Sequence, residues 1–207
     1  MTNTMEMDRS ASAARVRIAA RHDLDAILAL IPSGARALDL GCGEGVLLEQ
    51  LVRQKQVQAR GVELNEDNVR ACIGRGLSVR QGNIEEGLAD YSNGAFDFVI
   101  LSQTLAFLDH PRTVVQEMLR VGRRVIISFE NAGYWRLRWR SMTGGGSGSM
   151  LGSGEARVRA ITIPQFLEFA ESIGTQVDAS IFMKHKRKID LLPNFRAEVA
   201  VFVLKGR

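Results

Sequence analysis

Apolar residues recur at helical spacing at Leu24, Ile27, Leu28, Leu30 and Ile31 before Pro32, Ser33 and Gly34 break the pattern, which predicts a helix ahead of the first strand. Ala35 to Leu40 is a short apolar run ending at Gly41, and Val46, Leu47, Leu48, Leu51 and Val52 then restart a helical period. The grammar is strand, glycine turn, helix. It repeats with a strand over 59–64, a helix over 65–73 capped by Gly74 or Gly76, and a third strand over 77–81. Phe96 to Leu101 reads as a buried strand led in by the Asn93, Gly94 turn. Pro111 stands where a first-turn helix proline belongs, ahead of Val114, Val115, Met118, Leu119 and Val121 on one face, and Arg124 to Phe129 is the fifth strand.

Strands alternating with helices predict a doubly wound α/β fold with a mostly parallel sheet, because parallel neighbours need crossover connections. After Asn131 the character changes. Tyr134 to Met142 reads as a helix rich in Trp and Arg, and 143–154 is almost wholly Gly and Ser, which predicts a mobile loop. Thr162 is a candidate N-cap with Pro164 behind it, leading Phe166, Leu167, Phe169, Ala170 and Ile173 along an apolar face. Val177 to Met183 and Glu198 to Leu204 form a closing pair of strands joined by the long connection 184–196. The expected organisation is an N-terminal extension over 1–20 and a single ligand-binding domain over 21–207.

Composition changes this picture little. An apolar share of 45% and a charged share of 24% are those of a globular protein. The first 21 residues lack a signal-peptide core, and no segment approaches the ~20 apolar residues that span a bilayer, so a cytoplasmic location without membrane association is expected. Cys42 and Cys72 have no His or Cys neighbour at metal-ligand spacing, which predicts two small buried residues and no metal. The net charge of +4 sits largely in two runs: Arg136, Arg138 and Arg140 around Trp135 and Trp139, and Lys184, Lys186, Arg187 and Lys188 around His185. These read either as solvated faces or as a surface for RNA or an anionic substrate, with the solvated face favoured.

The segment Asp39 to Gly45, DLGCGEG, carries the candidate chemistry. In an open α/β sheet ligands bind beyond the carboxyl ends of the strands, and Gly41, Gly43 and Gly45 would let a ligand approach the backbone there. A dinucleotide fingerprint started at Gly41 needs glycine at 46, where this chain has Val46. Asp39 and Glu44 would repel a pyrophosphate but suit a ligand bearing an ammonium and a sulfonium, which points to S-adenosylmethionine. Glu63, at the end of the second strand, can accept hydrogen bonds from both ribose hydroxyls. Asn83 can read the adenine amino group while Ile84 covers the ring; the same Asn can equally cap the next short helix.

Asp39 to Gly45, Glu63, Asn83 with Ile84, and the strand from Phe96 to Ser102 together resemble the class I S-adenosylmethionine-dependent methyltransferases. More narrowly, ILSQTL at 100–105, EMLRVG at 117–122, Ser128 and Phe129 with Asn131, and GYWRLR at 133–138 resemble the MetW family of methionine biosynthesis, as do NVRACIGRG at 68–76 and QGNIEEGL at 81–88. The resemblance implies a Rossmann-like sheet of seven strands with an antiparallel last strand. It implies binding of S-adenosylmethionine or S-adenosylhomocysteine by Asp39, Gly41, Cys42, Gly43, Gly45, Glu63, Leu64, Asn83, Ile84, Ser102 and Gln103. It also implies a role beside homoserine O-acyltransferase. Two departures stand out: the family usually carries Asp at the place of Asn83, and a segment with Pro and aromatics where this chain has its Gly/Ser run.

No catalytic residue is assigned. On the acceptor side stand Gln103, Thr104, His110, Asn131 and Tyr134; His110 reads more readily as a helix-entry residue, and Ser102 and Gln103 equally as pocket lining. The expected function is therefore a cofactor-binding partner of homoserine O-acyltransferase, with methyl transfer to a small molecule as the alternative and nucleic-acid binding disfavoured.

Overall fold

The computed structural model describes residues 21, 23–137 and 160–206. The extension 1–20, His22, Arg138, Trp139, Arg140 and the Gly/Ser run 143–154 lie outside them. In chain order the elements are α1 (Asp23–Leu30), β1 (Arg36–Leu40), α2 (Val46–Lys55), β2 (Gln58–Glu63), α3 (Glu66–Gly74), β3 (Val79–Gln81), β4 (Phe96–Ser102), α4 (Pro111–Val121), β5 (Gly122–Glu130), α5 (Ile163–Ser172), β6 (Gln176–Lys184), β7 (Arg187–Lys188), α6 (Pro193–Arg196) and β8 (Val199–Lys205). Of the helix expected from Tyr134, residues 135–137 are helical and the rest lies outside the described residues.

The strands form one sheet in the order β3-β2-β1-β4-β5-β8-β6-β7. The pairs among β1 to β5 are parallel, and β8 runs antiparallel to both β5 and β6. The count is eight strands, where the resemblance implied seven. The additional strand is β7, two residues long, which folds back on β6 through Lys184 and Met183 inside what had read as a plain connection.

Alternate residues of each central strand serve opposite faces, as the two-residue period of a strand requires. Leu38, Leu40, Val99, Leu101, Val125, Ile127, Phe129 and Phe202 pack on one side with Val114, Val115 and Met118 of α4 and Phe166 and Ala170 of α5. Ala37, Phe98, Ile100, Ile126, Val201 and Val203 pack on the other with Ile27 of α1, Leu48 and Leu51 of α2 and Cys72 of α3. The strands read as continuous apolar runs because both faces are covered. Gly122 lets α4 pass straight into β5: a Cβ there would stand 2.5 Å from Val99 Cγ2.

Thr162 caps α5 as expected, in a reciprocal pair with Gln165 whose Oε1 accepts from Thr162 N at 3.0 Å. Asn65 caps α3, accepting from Asn68 N at 3.1 Å. Among the described residues no helix is long and apolar enough to cross a membrane.

Candidate functional site

The turn after β1 is held from β2. Gly41 N and Cys42 N both donate to Val62 O, at 2.8 and 3.2 Å, and Gly45 N closes the turn on Cys42 O at 2.9 Å. Gly41, Gly43 and Gly45 all have positive φ, a region that penalises a side chain. Space sets them apart: a Cβ on Gly45 would meet Cys72 Sγ at 2.7 Å and one on Gly41 would meet Thr104 Oγ1 at 2.8 Å, whereas one on Gly43 meets nothing. The middle glycine therefore borders open space, which is where a ligand can lie against the backbone. The N-terminus of α2 opens on the same turn, with Gly45 as a cap that supplies no side-chain acceptor.

Glu63 sits at the end of β2, 9% exposed. Its Oε2 accepts from Gly43 N at 2.8 Å and its Oε1 from Asn65 N at 2.9 Å. The carboxylate thus fixes the glycine turn and the start of α3 at once. Each oxygen keeps a further lone pair for a hydroxyl donor. Leu64 beside it is exposed. Asn83 Oδ1 accepts from Glu85 N at 3.0 Å, so the helix-capping role is realised on the 3-10 turn that buries Ile84.

Asp39 is the unusual group. It is 3% exposed, and Oδ1 has no hydrogen-bond partner. Burial, with the neighbouring carboxylates of Asp23 and Glu63, pushes its pKa up to about 7 against the opposing pull of the Arg21 guanidinium. A buried carboxyl with an orphaned oxygen is a candidate mark of a functional site.

Ser102 ends β4 and Gln103 follows with φ 57, a strained left-handed conformation for a non-glycine residue. Gln103 N donates to Ser128 O at 3.0 Å. The sequence did not single out Arg21 or Asp23, and it marked Ser128 only as part of a family-like string. Asp23 is fully buried, its Oδ2 accepting from Ser102 Oγ and, at 2.7 Å, from Ser128 Oγ. An acid opening a helix is so common a dipole match that only the fold reveals this one to be inside.

The remaining candidates are mostly structural. Asn131 is buried and spends its side chain on the backbone, Nδ2 donating to Asn194 O and Ala197 O while Oδ1 accepts from Gly133 N. His110 is the entry residue of α4, its N–H donating to Glu85 Oε1 at 2.6 Å. Cys42 and Cys72 are both buried, as expected, and burial pushes both thiols up, away from reactivity. No group of three or more His, Cys, Asp or Glu suited to a metal occurs among the described residues. Trp135 stacks on Phe195, and Lys184 Nζ lies 5.6 Å from the Tyr134 ring.

With this geometry in place, comparison with known proteins is decisive on family. Residues 21–204 match the family described as methionine biosynthesis protein MetW. The chain belongs to the MetW family. It is 32% identical over 197 residues to the bifunctional methionine biosynthesis protein MetXA/MetW of Rhodopirellula baltica, a match covering 86% of this chain and 32% of that one. A shorter stretch of 96 residues is 34% identical to the ubiquinone biosynthesis O-methyltransferase of Methylococcus capsulatus, covering 44% of this chain and 40% of the other. These matches span only 32% and 40% of the length of the two curated relatives.

Among solved structures, a SAM-dependent methyltransferase from Thermotoga maritima superposes with a TM-score of 0.70 at 17% identity, covering 97% of this chain and 96% of that one. The fold of this MetW-family chain is thus the Rossmann-like methyltransferase fold. Fold alone assigns no reaction.

Proposed function

We propose that this MetW-family chain binds S-adenosylmethionine or S-adenosylhomocysteine at the carboxyl ends of β1 and β2 and acts with homoserine O-acyltransferase in methionine biosynthesis. The observation that carries the cofactor half is the joint geometry of Gly43, Glu63 and Asp39. The open glycine, the carboxylate stitched beneath it and the buried carboxyl with an unpartnered oxygen fit a ligand with a ribose diol and a cationic amino-acid tail.

In this reading Asp39, Gly41, Cys42, Gly43 and Gly45 border the amino-acid portion, Glu63 and Leu64 the ribose, Asn83 and Ile84 the adenine, and Ser102 and Gln103 the remaining wall. Asn83 keeps an acceptor for the adenine amino group after capping its helix, since an amide oxygen has two lone pairs. S-adenosylmethionine, when bound, supplies an electrophilic methyl group. The partnership half is supported by the Rhodopirellula baltica relative, whose name joins MetXA and MetW functions in one protein.

Calorimetric titration with S-adenosylmethionine and S-adenosylhomocysteine tests the site. Glu63→Ala should weaken both by about tenfold or more, since a charge-assisted hydrogen bond is lost on each side of the turn. Equal affinity in wild type and variant would rule out this placement. The partnership is measured by adding the chain to purified homoserine O-acyltransferase with and without cofactor; neither copurification nor a change in acyl transfer would remove it.

A second reading, methyl transfer to a small molecule, is favoured by a cavity of about 480 Å³ lined by Leu105, Pro111, Ile161, Phe166 and Phe169. Leu105 follows Thr104, whose side chain stands against Gly41. Positioning alone can supply roughly 7 to 11 kcal/mol of a barrier, so no dedicated base is required. Transfer of labelled methyl groups to metabolites is the readout, and its absence with binding intact would count this reading out.

A further inference from the structure

The string EMLRVG at 117–122, which takes no part in the cofactor site, carries an arginine with every donor engaged. Arg120 Nε and Nη2 donate to Glu117 Oε1 and Oε2 at 2.9 and 2.8 Å, Nη2 also donates to Leu88 O at 3.0 Å, and Nη1 donates to Tyr91 O and Asn93 Oδ1, both at 2.9 Å. A guanidinium has five N–H donors, and here all five are used. Glu117 Oε2 accepts from Leu88 N as well, at 3.3 Å, and Gly94 N donates to Arg120 O at 3.0 Å. The segment 88–95 ahead of β4 is thereby pinned to α4, although it contains no helix or strand.

The pinned segment forms one wall of a cavity of about 420 Å³ at the amino ends of β1, β2 and β4, the opposite end of the sheet from the glycine turn. Arg36 and Arg60 line it together with Ser78, Tyr91, Ser92 and Phe96, and it shares no lining residue with the cofactor candidates. Tyr91 and Phe96 meet edge to face, their ring centroids 5.2 Å apart, so part of the wall is aromatic.

Register sets three arginines on one face of the sheet. Leu38 pairs with Arg60 and Val62 with Arg80, and side chains alternate along a strand, so Arg36, Arg60 and Arg80 step diagonally across β1, β2 and β3 on the face of Leu38 and Val62. The outer two have acids: Arg36 Nη2 lies 3.2 Å from Asp97 Oδ1, and Arg80 Nη1 lies 2.6 Å from Asp90 Oδ2. Arg60 between them has no hydrogen bond or ion pair among the described residues, and it is exposed, so a solute reaches it from water. One positive charge is left uncompensated in the cavity wall. The guanidinium fork takes a carboxylate through two parallel hydrogen bonds, the hydroxyls of Ser78 and Ser92 stand by as further donors, and an apolar body suits the aromatic wall. A dianion would exceed the single free charge and face the Asp90 carboxylate, which also lines the cavity.

We propose that this cavity is a second ligand site, separate from the cofactor turn, which holds a small carboxylate with an apolar body on Arg60. Arg120 and Glu117 are positioning residues that keep its wall in place. The site stands independently of the cofactor reading, because none of its residues enters that reading.

The probe is benzoate, with benzamide as its uncharged counterpart and inorganic phosphate as the measure of plain anion attraction, each titrated into the full chain and followed by amide chemical shifts. Benzoate should give saturable shifts at Arg60, Ser78, Tyr91 and Ser92, and benzamide and phosphate should not. Arg60→Met should weaken benzoate by about tenfold or more, while Arg60→Lys should keep part of the affinity, because an ammonium retains the charge and loses the fork. Both variants should melt with wild type, as exposed substitutions do. Arg120→Gln should weaken benzoate by a smaller factor and speed amide hydrogen exchange over 88–95.

Benzoate shifts that fail to saturate, an equal response to benzamide or to phosphate, or an Arg60→Met variant that binds benzoate as wild type does would each overturn the proposal and leave the cofactor site untouched. Should Arg120→Gln fail to fold, the Arg60 variants still decide the matter, because a merely solvated arginine would leave benzoate affinity where it was.

Discussion

A carboxyl group that titrates near neutrality makes the site respond to pH in a direction that can be worked out. Asp39 is raised from its ordinary 3.8 to about 7 by burial and by its acidic neighbours. Between those two values the unfolded chain has released this proton while the folded one retains it, so the contribution of Asp39 to stability is fully present below about pH 4 and is lost as pH rises through about 7. Asp39→Asn should remove that loss, so its stability relative to wild type, followed by urea denaturation, should rise with pH at a limiting slope of about 1.4 kcal/mol per unit and level off above neutrality. A flat difference would show that Asp39 stays ionised. At this scale the sequence marked the candidate groups by their strand position: an acid near the end of β1, an acid closing β2, glycines between. It did not reveal Asp23, because its importance comes from two serines 79 and 105 positions away, and spacing within a helix carries no trace of either.

Helix α5 shows how element-level signals and packing agree. Thr162 and Gln165 complete a capping box, Pro164 occupies the first turn, and Phe166 is driven into an aromatic group with Phe129 and Phe202, its ring centroid 5.1 and 4.5 Å from theirs. Thr162→Ala should lower stability by about 1 kcal/mol and Phe166→Ala by about 3 to 5 kcal/mol in denaturant titrations, since one removes a cap and the other leaves a cavity. Similar losses for both would mean that the helix is held by its end and not by its face. The elements missed from the sequence are the short ones. Arg187 and Lys188 of β7 have no apolar alternation to display over two residues, and α6, four residues long, starts from Leu192 in a left-handed conformation that no leucine advertises. The long elements were legible because burial on both faces writes continuous apolar runs into β4, β5 and β8, while α4 keeps one apolar stripe.

The whole molecule couples the site to stability, because the proposed ligand would bridge the carboxyl ends of β1, β2 and β4. At a hundredfold excess over its dissociation constant, a ligand binding only the folded state adds about 2.7 kcal/mol, which should raise the melting temperature by about 5 °C or more. S-adenosylhomocysteine is a suitable probe, and an unchanged melting curve at saturating ligand would contradict the site. The doubly wound class was readable from the alternation of strands and helices, and so was the pairing of β8 with β6, but its insertion beside β5 was not: periodicity describes an element and says little of which further neighbour it will find. That place has a consequence for how the protein is made. Of the eight strands β8 leaves the ribosome last, yet it lies between β5 and β6. Until Val199 to Lys205 emerge, β5 has an open edge and β6 has no partner on that side, so the nascent chain must wait with the apolar residues from Val125 to Phe129 unmatched. A translational pause before β8 should therefore raise the demand for chaperones far more than an equal pause after it.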